Sequence, residues 1–341
     1  MTVRQITLRQ GEVREVLATL PEKSVQLVVT SPPYFHQRDY ELEPSRWADG
    51  WVGCFGLEPS VRSYVDHSVE VLRAVRRVLR DDGLVYWNIG DSYAGSGKGP
   101  SKSIERKASC LDDKFSPPDV KRKSLCLVPE RVATALEDDG WYVRSKITWC
   151  KQVPKPESVK DRPTSATELI LMLSKRERYY YDAEAVREPA PSAAQTAHNQ
   201  KYAKRYDKTA RKAESHQPGN TNSPDIHSRP GPGGHNLRNY WVLPPEPCRD
   251  EHYAAFPTEI PRRAILAGSR PGDLVLDPFV GSGTTALAAA SLGRRCVGID
   301  QNGDFLSAAR LRFARHGFAD VTDLDPALLP VLAKLLEEVG A

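Results

Sequence analysis

The sequence predicts an α/β fold: a mostly parallel sheet with helices on both faces. Three observations carry the prediction. Short apolar runs at 25–30 and 84–89 lack the polar alternation of a half-exposed strand. Between such runs lie segments with apolar residues at three- and four-residue spacing, so strands and helices alternate along the chain. The length, 341 residues with 40% hydrophobic, suits one large core with insertions or two modest domains.

Residues 5–8 alternate apolar and polar as a short strand does. Residues 11–20 read as a helix with Val13, Val16, Leu17 and Leu20 on one face, closed by Pro21. The next strand is 25–30. A helix over 60–80 carries Val61, Tyr64, Val65, Leu72, Val75 and Leu79, and Asp81-Asp82-Gly83 supplies a glycine stop before a strand at 84–89. A helix near 128–138 ends in the same Asp-Asp-Gly signal. Strands follow at 142–149 and 167–173, and Tyr179-Tyr180-Tyr181 suggests a short hairpin arm. The remaining elements are a helix at 257–267, a strand at 274–276, a small-residue helix at 284–292, a strand at 296–299 and a tail helix from 326.

Charge is uneven. The chain is +4 in total, but residues 191–240 are net +5 and 98–123 net +4, leaving a slightly acidic body. Two basic, polar insertions suit either a polyanion-binding face or solvated loops. No apolar run approaches the ~18 residues of a membrane span. The N-terminus, MTVRQITLRQGE, has no secretory apolar stretch. Six scattered cysteines without C-x-x-C spacing argue against a zinc site and for a reduced, cytoplasmic protein.

Two stretches carry chemistry. The strand at 25–30 runs straight into Ser31-Pro32-Pro33-Tyr34. Two prolines fix two φ angles and remove two donors, which makes a stiff, extended corner with fixed acceptors beside an aromatic ring. Such a corner suits a well-packed loop, or a device that holds a flat molecule carrying an amino group. The second stretch is LVLDPFVGSGTTALAAASLGRRCVGID, 274–300. It reads as a strand ending at Asp277, a loop with Gly281 and Gly283, a helix from Thr284, and a strand ending in Asp300. That βαβ order suits a nucleoside at the carboxyl edge of a sheet. The loop lacks the third glycine of a dinucleotide fingerprint and the lysine of a P-loop. Asp277 would repel phosphates and suits a cationic ligand. Gly95-Ser96-Gly97-Lys98-Gly99 reads as a flexible loop.

Together, Ser31-Pro32-Pro33-Tyr34 and Asp277-Pro278-Phe279-Val280-Gly281-Ser282-Gly283 resemble an S-adenosylmethionine-dependent DNA amino-methyltransferase. The catalytic tetrapeptide comes first and the cofactor loop last, as in that family's permuted β group. LVYWNIGD at 84–91, Trp149-Cys150-Lys151, DRPTSATELILMLSK and His252-Tyr253-Ala254-Ala255-Phe256-Pro257 resemble further family motifs. The resemblance covers residues 5–320 outside the two insertions. It implies a Rossmann-like class I methyltransferase sheet, circularly permuted, with one antiparallel strand. The implied domains are a catalytic half over 1–186 with a basic insertion at 92–123, a target-recognition insertion at 187–245, a cofactor-binding half at 246–325 and a C-terminal helix at 326–341.

Serine before Pro-Pro-Tyr is similar to the cytosine-N4 enzymes more than the adenine-N6 ones. Ser31 Oγ and the Pro32 carbonyl would hold the amine, Pro33 would stiffen the corner, and Tyr34 would stack on a flipped base. The resemblance places Asp277, Phe279, Gly281, Gly283 and Thr284 at the methionine end of S-adenosylmethionine and Asp300 on the ribose. Thr258 and Glu259 follow the Phe-Pro pair as further cofactor candidates or as helix-capping residues. Glu12 is either a cofactor contact or a helix-start acid. Trp149 is either core or a second wall of the base pocket. Lys201, Lys204, Arg205, Lys208, Arg211, Lys212, Arg229 and Arg238 would meet DNA phosphates. Arg229, Arg238, Asn236 and Asn239 are also of types that read bases. Cytosine-C5 chemistry needs a nucleophilic thiol, and the only Pro-Cys pair, Pro247-Cys248, lies far from the catalytic strand.

Double-stranded DNA is the implied partner, with no membrane. The resemblance also allows a homodimer and a separately encoded restriction endonuclease. Two other readings stand beside the cytosine-N4 enzyme. One is an adenine-N6 enzyme with an unusual serine. The other is a catalytically silent DNA-binding protein that keeps the fold.

Overall fold

The computed structural model of the protein describes residues 6–95, 115–154, 156–189, 234–244, 246, 256–318 and 321–322. Two compact units are present, a large one formed by 1–181 with 239–341 and a small one formed by 182–238.

The first half of the large unit contains β1 (Ile6–Gln10), α1 (Val13–Thr19), β2 (Val25–Thr30), β3 (Ser45–Arg46), β4 (Val52–Gly53), α2 (Val61–Val78), β5 (Leu79–Ile89), α3 (Val128–Asp138), β6 (Tyr142–Lys151) and β7 (Thr167–Ser174). Its second half contains β8 (Tyr240–Leu243), α4 (Glu259–Gly268), β9 (Leu274–Asp277), α5 (Thr284–Ser291), β10 (Arg295–Asp300), α6 (Gly303–Arg315) and β11 (Val321–Thr322). The main sheet has nine strands in the order β11-β1-β10-β9-β2-β5-β7-β6-β8. All neighbours run parallel except at β7, which opposes both β5 and β6.

Every residue of β2 is buried, because helices cover both faces of the sheet. Val28 joins the cluster built by α1, α2 and α3, while Leu27 meets Gly268 of α4 on the opposite side. Helix α2 starts where Ser60 accepts from Ser63 N at 3.0 Å, and Asp119 accepts from Val61 N and Arg62 N. Glu12 caps α1, accepting from Arg14 N at 2.9 Å and Glu15 N at 3.1 Å.

The two Asp-Asp-Gly signals diverge. Gly140, at φ +88°, terminates α3 as a glycine in the left-handed region does. Gly83 terminates nothing: α2 has already ended at Val78, and β5 runs from Leu79 straight through Asp81-Asp82-Gly83. Near Gly83 the ladder with β2 is irregular, and a Cβ would lie 2.8 Å from the Gln26 carbonyl. This glycine serves close strand approach.

Three other expectations are corrected. Residues 179–181 form no hairpin; Tyr180 N donates to Asp82 O at 2.9 Å, and the Arg270 guanidinium lies 3.7 Å from the Tyr180 ring. Residues 240–243, expected inside an insertion, are β8, the edge strand beside β6. Helix α6 was not anticipated, although Leu306, Ala309 and Phe313 mark its buried face and Asn302 caps it. The expected tail helix at 326–341 lies outside the described residues. No helix among the described residues is long and apolar enough to cross a membrane.

Gly83→Ala should destabilise the fold by about 1–3 kcal/mol through steric overlap, since this φ is ordinary for any residue. Chemical denaturation checks it, and an unchanged midpoint would return Gly83 to a passive turn.

Candidate active site

Strands β9 and β2 are neighbours in the sheet, yet the chain leaves them in opposite directions. From β9 it moves through α5 to β10; from β2 it moves through α2 to β5. This is a switch point, where the carboxyl ends of parallel strands open a crevice. A cavity of about 500 Å³ lies there. Ser31, Pro32, Pro33 and Tyr34 line it from one loop, and Asp277, Phe279, Gly281 and Thr284 from the other. The loops are joined at their roots: Thr30 Oγ1 donates to Asp277 Oδ1 at 2.6 Å, fully buried.

The Ser-Pro-Pro-Tyr corner is held from several sides. Tyr64 Oη donates to the Pro33 carbonyl at 2.9 Å. The Tyr34 ring lies against Gly90, where a Cβ would come within 2.7 Å of it. The Tyr34 hydroxyl sits inside a polar cluster. It accepts from Ser31 Oγ at 3.0 Å and Asn88 Nδ2 at 2.7 Å, and donates to Glu168 Oε2 at 2.7 Å. Asn88 Nδ2 also donates to Glu168 at 3.1 Å, and Lys151 Nζ pairs with the other oxygen of Glu168. Burial first, and the Glu168 charge second, push the Tyr34 phenol well above its ordinary range. Two polar atoms of cavity-lining residues, Asn88 Oδ1 and Trp149 Nε1, are buried without a partner among the described residues. Buried unpaired acceptors and donors are rare, and a ligand can satisfy them.

On the other side, the glycine loop is built for approach. Gly281 has φ +49°, and a Cβ there would meet nothing within 4 Å among the described residues. Gly283, at φ +82°, precedes α5, and a Cβ there would overlap Phe313. Arg312 Nη1 braces the loop, donating to Thr284 Oγ1 at 2.9 Å and the Ser282 carbonyl at 3.3 Å. Asp300 accepts from Gly281 N and Asn302 N, both at 2.9 Å, one on each oxygen. Burial raises the Asp277 carboxyl to about 6, and burial likewise raises Asp300 to about 6. One buried carboxylate, Asp277, and one half-buried, Asp300, beside an open glycine cradle favour a cation with hydroxyl donors.

Glu12 and Trp149 also line the cavity, Glu12 while capping α1. Gly283, Thr258 and Glu259 do not line it. Thr258 Oγ1 donates to Glu246 Oε2 at 2.7 Å, and Glu259 is paired with Arg262 and Arg263 in the first turns of α4. Arg238, in the small unit, forms an ion pair with Glu188. Lys201, Lys204, Arg205, Lys208, Arg211, Lys212 and Arg229 lie outside the described residues, as do His252 to Ala255 and Cys248. Sequence reasoning missed Asn88, Lys151 and Glu168 as site residues. It also missed Tyr40 and Phe305, whose rings stand 5.9 Å apart on the cavity wall.

Residues 25–310 match a family described as DNA methylase, spanning N6 and N4 enzymes. Two of the most similar relatives are type II methyltransferases. M.SmaI of Serratia marcescens is 37% identical over 92% of this chain and 92% of its own length. M.Cfr9I of Citrobacter freundii is 37% identical over 89% and 86%. Among solved structures, the PvuII DNA methyltransferase (cytosine-N4-specific) aligns with a TM-score of 0.60 at 19% identity, over 98% of this chain and 93% of its own. That likeness concerns the fold. The Thermus thermophilus protein TTHA0409, in complex with S-adenosyl-L-methionine, aligns with a TM-score of 0.55 at 25% identity, over 92% and 94%.

The raised Asp277 has a stability consequence. Its folded value, about 6, exceeds the ordinary 3.8, so its contribution is fully present below the unfolded value and lost as pH rises through 6. The difference corresponds to roughly 3 kcal/mol. Asp277→Asn can keep the bonds from Thr30 and Phe279 N on its oxygen. It should match the wild type near pH 4 and exceed it by about 1–3 kcal/mol at pH 8 in denaturant titrations. A constant difference across that range would remove the buried-carboxylate assignment.

Proposed function

The chain belongs to the DNA methylase family, and we propose that it transfers the methyl group of S-adenosylmethionine to the exocyclic N4 amine of a flipped cytosine in duplex DNA. It is a type II DNA methyltransferase of the N4/N6 family. The observation that carries the proposal is the cavity shared by the Ser-Pro-Pro-Tyr corner and the acidic glycine loop, joined through Thr30 and Asp277. Serine at position 31 favours cytosine, since that variant of the tetrapeptide resembles the N4 enzymes.

The residues present fit the cofactor. Gly281 leaves open space for close approach, and each Asp300 oxygen keeps lone pairs for a ribose hydroxyl after accepting one backbone donor. Tyr40 and Phe305 offer aromatic faces for the adenine. Asp277 places negative charge where a cation is to be held. When bound, S-adenosylmethionine supplies a methyl group on a cationic sulfur.

The chain's own residues supply position. Ser31 Oγ and the Pro32 carbonyl accept from the amine and favour a more tetrahedral nitrogen, freeing its lone pair. The methyl carbon that the cofactor would supply to this nitrogen would leave its bonding pair on sulfur, and the amine proton would pass to solvent. Holding two reactants in near-attack geometry can supply several kcal/mol of the barrier. The ring of Tyr34, fixed against Gly90, offers a stacking face to a base out of its duplex, worth ~1–3 kcal/mol against the cost of flipping. The small unit, 182–238, overlaps the segment expected to recognise the target sequence.

The test is product analysis. Purified protein is incubated with S-adenosylmethionine and unmethylated duplex DNA, and the digested nucleosides are identified by mass spectrometry. N4-methylcytosine is expected. N6-methyladenine would replace the base assignment, and no methylated nucleoside from a cofactor-binding protein would favour the silent DNA-binding reading. Ser31→Ala should lower single-turnover methylation by about 10²-fold while cofactor affinity stays within about twofold. Wild-type turnover in that variant would remove Ser31 from the catalytic set.

A further inference from the structure

We propose that Glu168 is a positioning residue that fixes the direction of a hydrogen-bond chain, making Ser31 solely an acceptor toward the cavity, so that the site selects an amine over a carbonyl. The inference rests on the methyltransferase reading above and adds a specificity device to it.

The direction follows from counting protons. Glu168 stands on β7 opposite Trp149 of β6, and its carboxylate can only accept. Lys151 Nζ, from the end of β6, holds one oxygen. The other oxygen receives Asn88 Nδ2 at 3.1 Å and faces the Tyr34 hydroxyl at 2.7 Å. Asn88 Nδ2 can only donate, and it reaches both Glu168 and Tyr34, so neither of those contacts can use a proton travelling the other way. Tyr34 has one proton. An ionised carboxylate at 2.7 Å takes it in a charge-assisted bond. With that proton spent, the contact between Ser31 Oγ and Tyr34 Oη at 3.0 Å requires the serine proton. Ser31 then has none to offer the cavity, only lone pairs.

This arrangement has a chemical consequence. An exocyclic NH₂ presents donors and meets an acceptor at Ser31. A carbonyl at the same place presents lone pairs and meets lone pairs. A site that leaves buried polar groups unpaired with the wrong ligand discriminates more strongly than one that only fits shape. Glu168 reaches no reacting atom in this account; it acts through Tyr34.

Two substitutions separate this role from a packing role. Tyr34→Phe keeps the ring on Gly90 and frees the Ser31 hydroxyl. Glu168→Gln can reverse the chain at the loss of the Asn88 bond to residue 168: its amide donates to Tyr34, Tyr34 donates to Ser31, and Ser31 turns its proton toward the cavity.

The experiment measures Kd for duplexes carrying cytosine or uracil at the position mapped by product analysis, with S-adenosylhomocysteine bound. Adenine and hypoxanthine replace that pair if the mapped base is adenine. Thermal melting and S-adenosylhomocysteine affinity establish that each variant is folded. The wild type should prefer the amine base by about tenfold or more. In both variants the preference should fall to about threefold or less, with S-adenosylhomocysteine affinity changed less than about twofold. A wild-type preference retained in both variants would overturn the inference alone, even if their methylation slows. A wild type that binds S-adenosylhomocysteine and distinguishes neither base would likewise overturn the inference, whereas the methyltransferase reading fails separately, when product analysis finds no methylated nucleoside.

Discussion

The hydrogen bond from Thr30 to Asp277 is the contact on which the site depends. It crosses from the last residue of β2 to the last residue of β9, residues 247 positions apart in sequence on strands adjacent in the sheet. Each strand continues directly into one of the two loops that face the cavity. Fixing the roots of both loops in one buried bond fixes their relative position. The cost is a desolvated carboxylate. Thr30 and the Phe279 N–H, both bonded to Asp277 Oδ1, offset part of it, and the remainder is visible as the raised pKa. A protein that keeps a buried acid at such a cost concentrates negative charge where a cationic ligand can use it.

Rigid positioning continues outward from that bond. Two prolines stiffen one loop, and Tyr64 ties its carbonyl to α2. Arg312 of α6 braces the other. The polar cluster around Tyr34 adds a third restraint, because the ring is held by Gly90 beneath it and by three partners at its hydroxyl. Little of this requires motion. The chemistry proposed for the site asks for two reactants brought together and one hydroxyl pointed correctly, which a set of crossed hydrogen bonds on strand ends can provide.

The parts of this arrangement that were legible in the sequence are local ones. β2 was found over its full length because its apolar residues, broken only by Gln26, run almost directly into a proline pair. The glycine loop was legible because positive φ at Gly281 and Gly283 leaves few other residues suitable. Long-range pairings were not legible. Glu168 and Lys151 meet only because β7 runs antiparallel beside β6, and Asn88 joins them from β5. In sequence, Glu168 is a polar residue near the start of an apolar strand, with nothing to distinguish it from a solvated end. The Asp-Asp-Gly repeat misled for a related reason. Gly140 ends a helix by its own φ, whereas Gly83 answers to the carbonyl of Gln26 on another strand. Thr258 and Glu259 lie outside the cavity lining with their side chains held by neighbours: Thr258 bonds Glu246 and makes no side-chain cap to α4, and Glu259 pairs with Arg262 and Arg263.

The most direct test of the central claim is a crystal structure of the protein with S-adenosylmethionine bound. Ribose hydroxyls are expected on Asp300, with the Thr30–Asp277 bond intact. A cofactor seated away from Asp300, or one that binds only after the Thr30–Asp277 bond has parted, would contradict it.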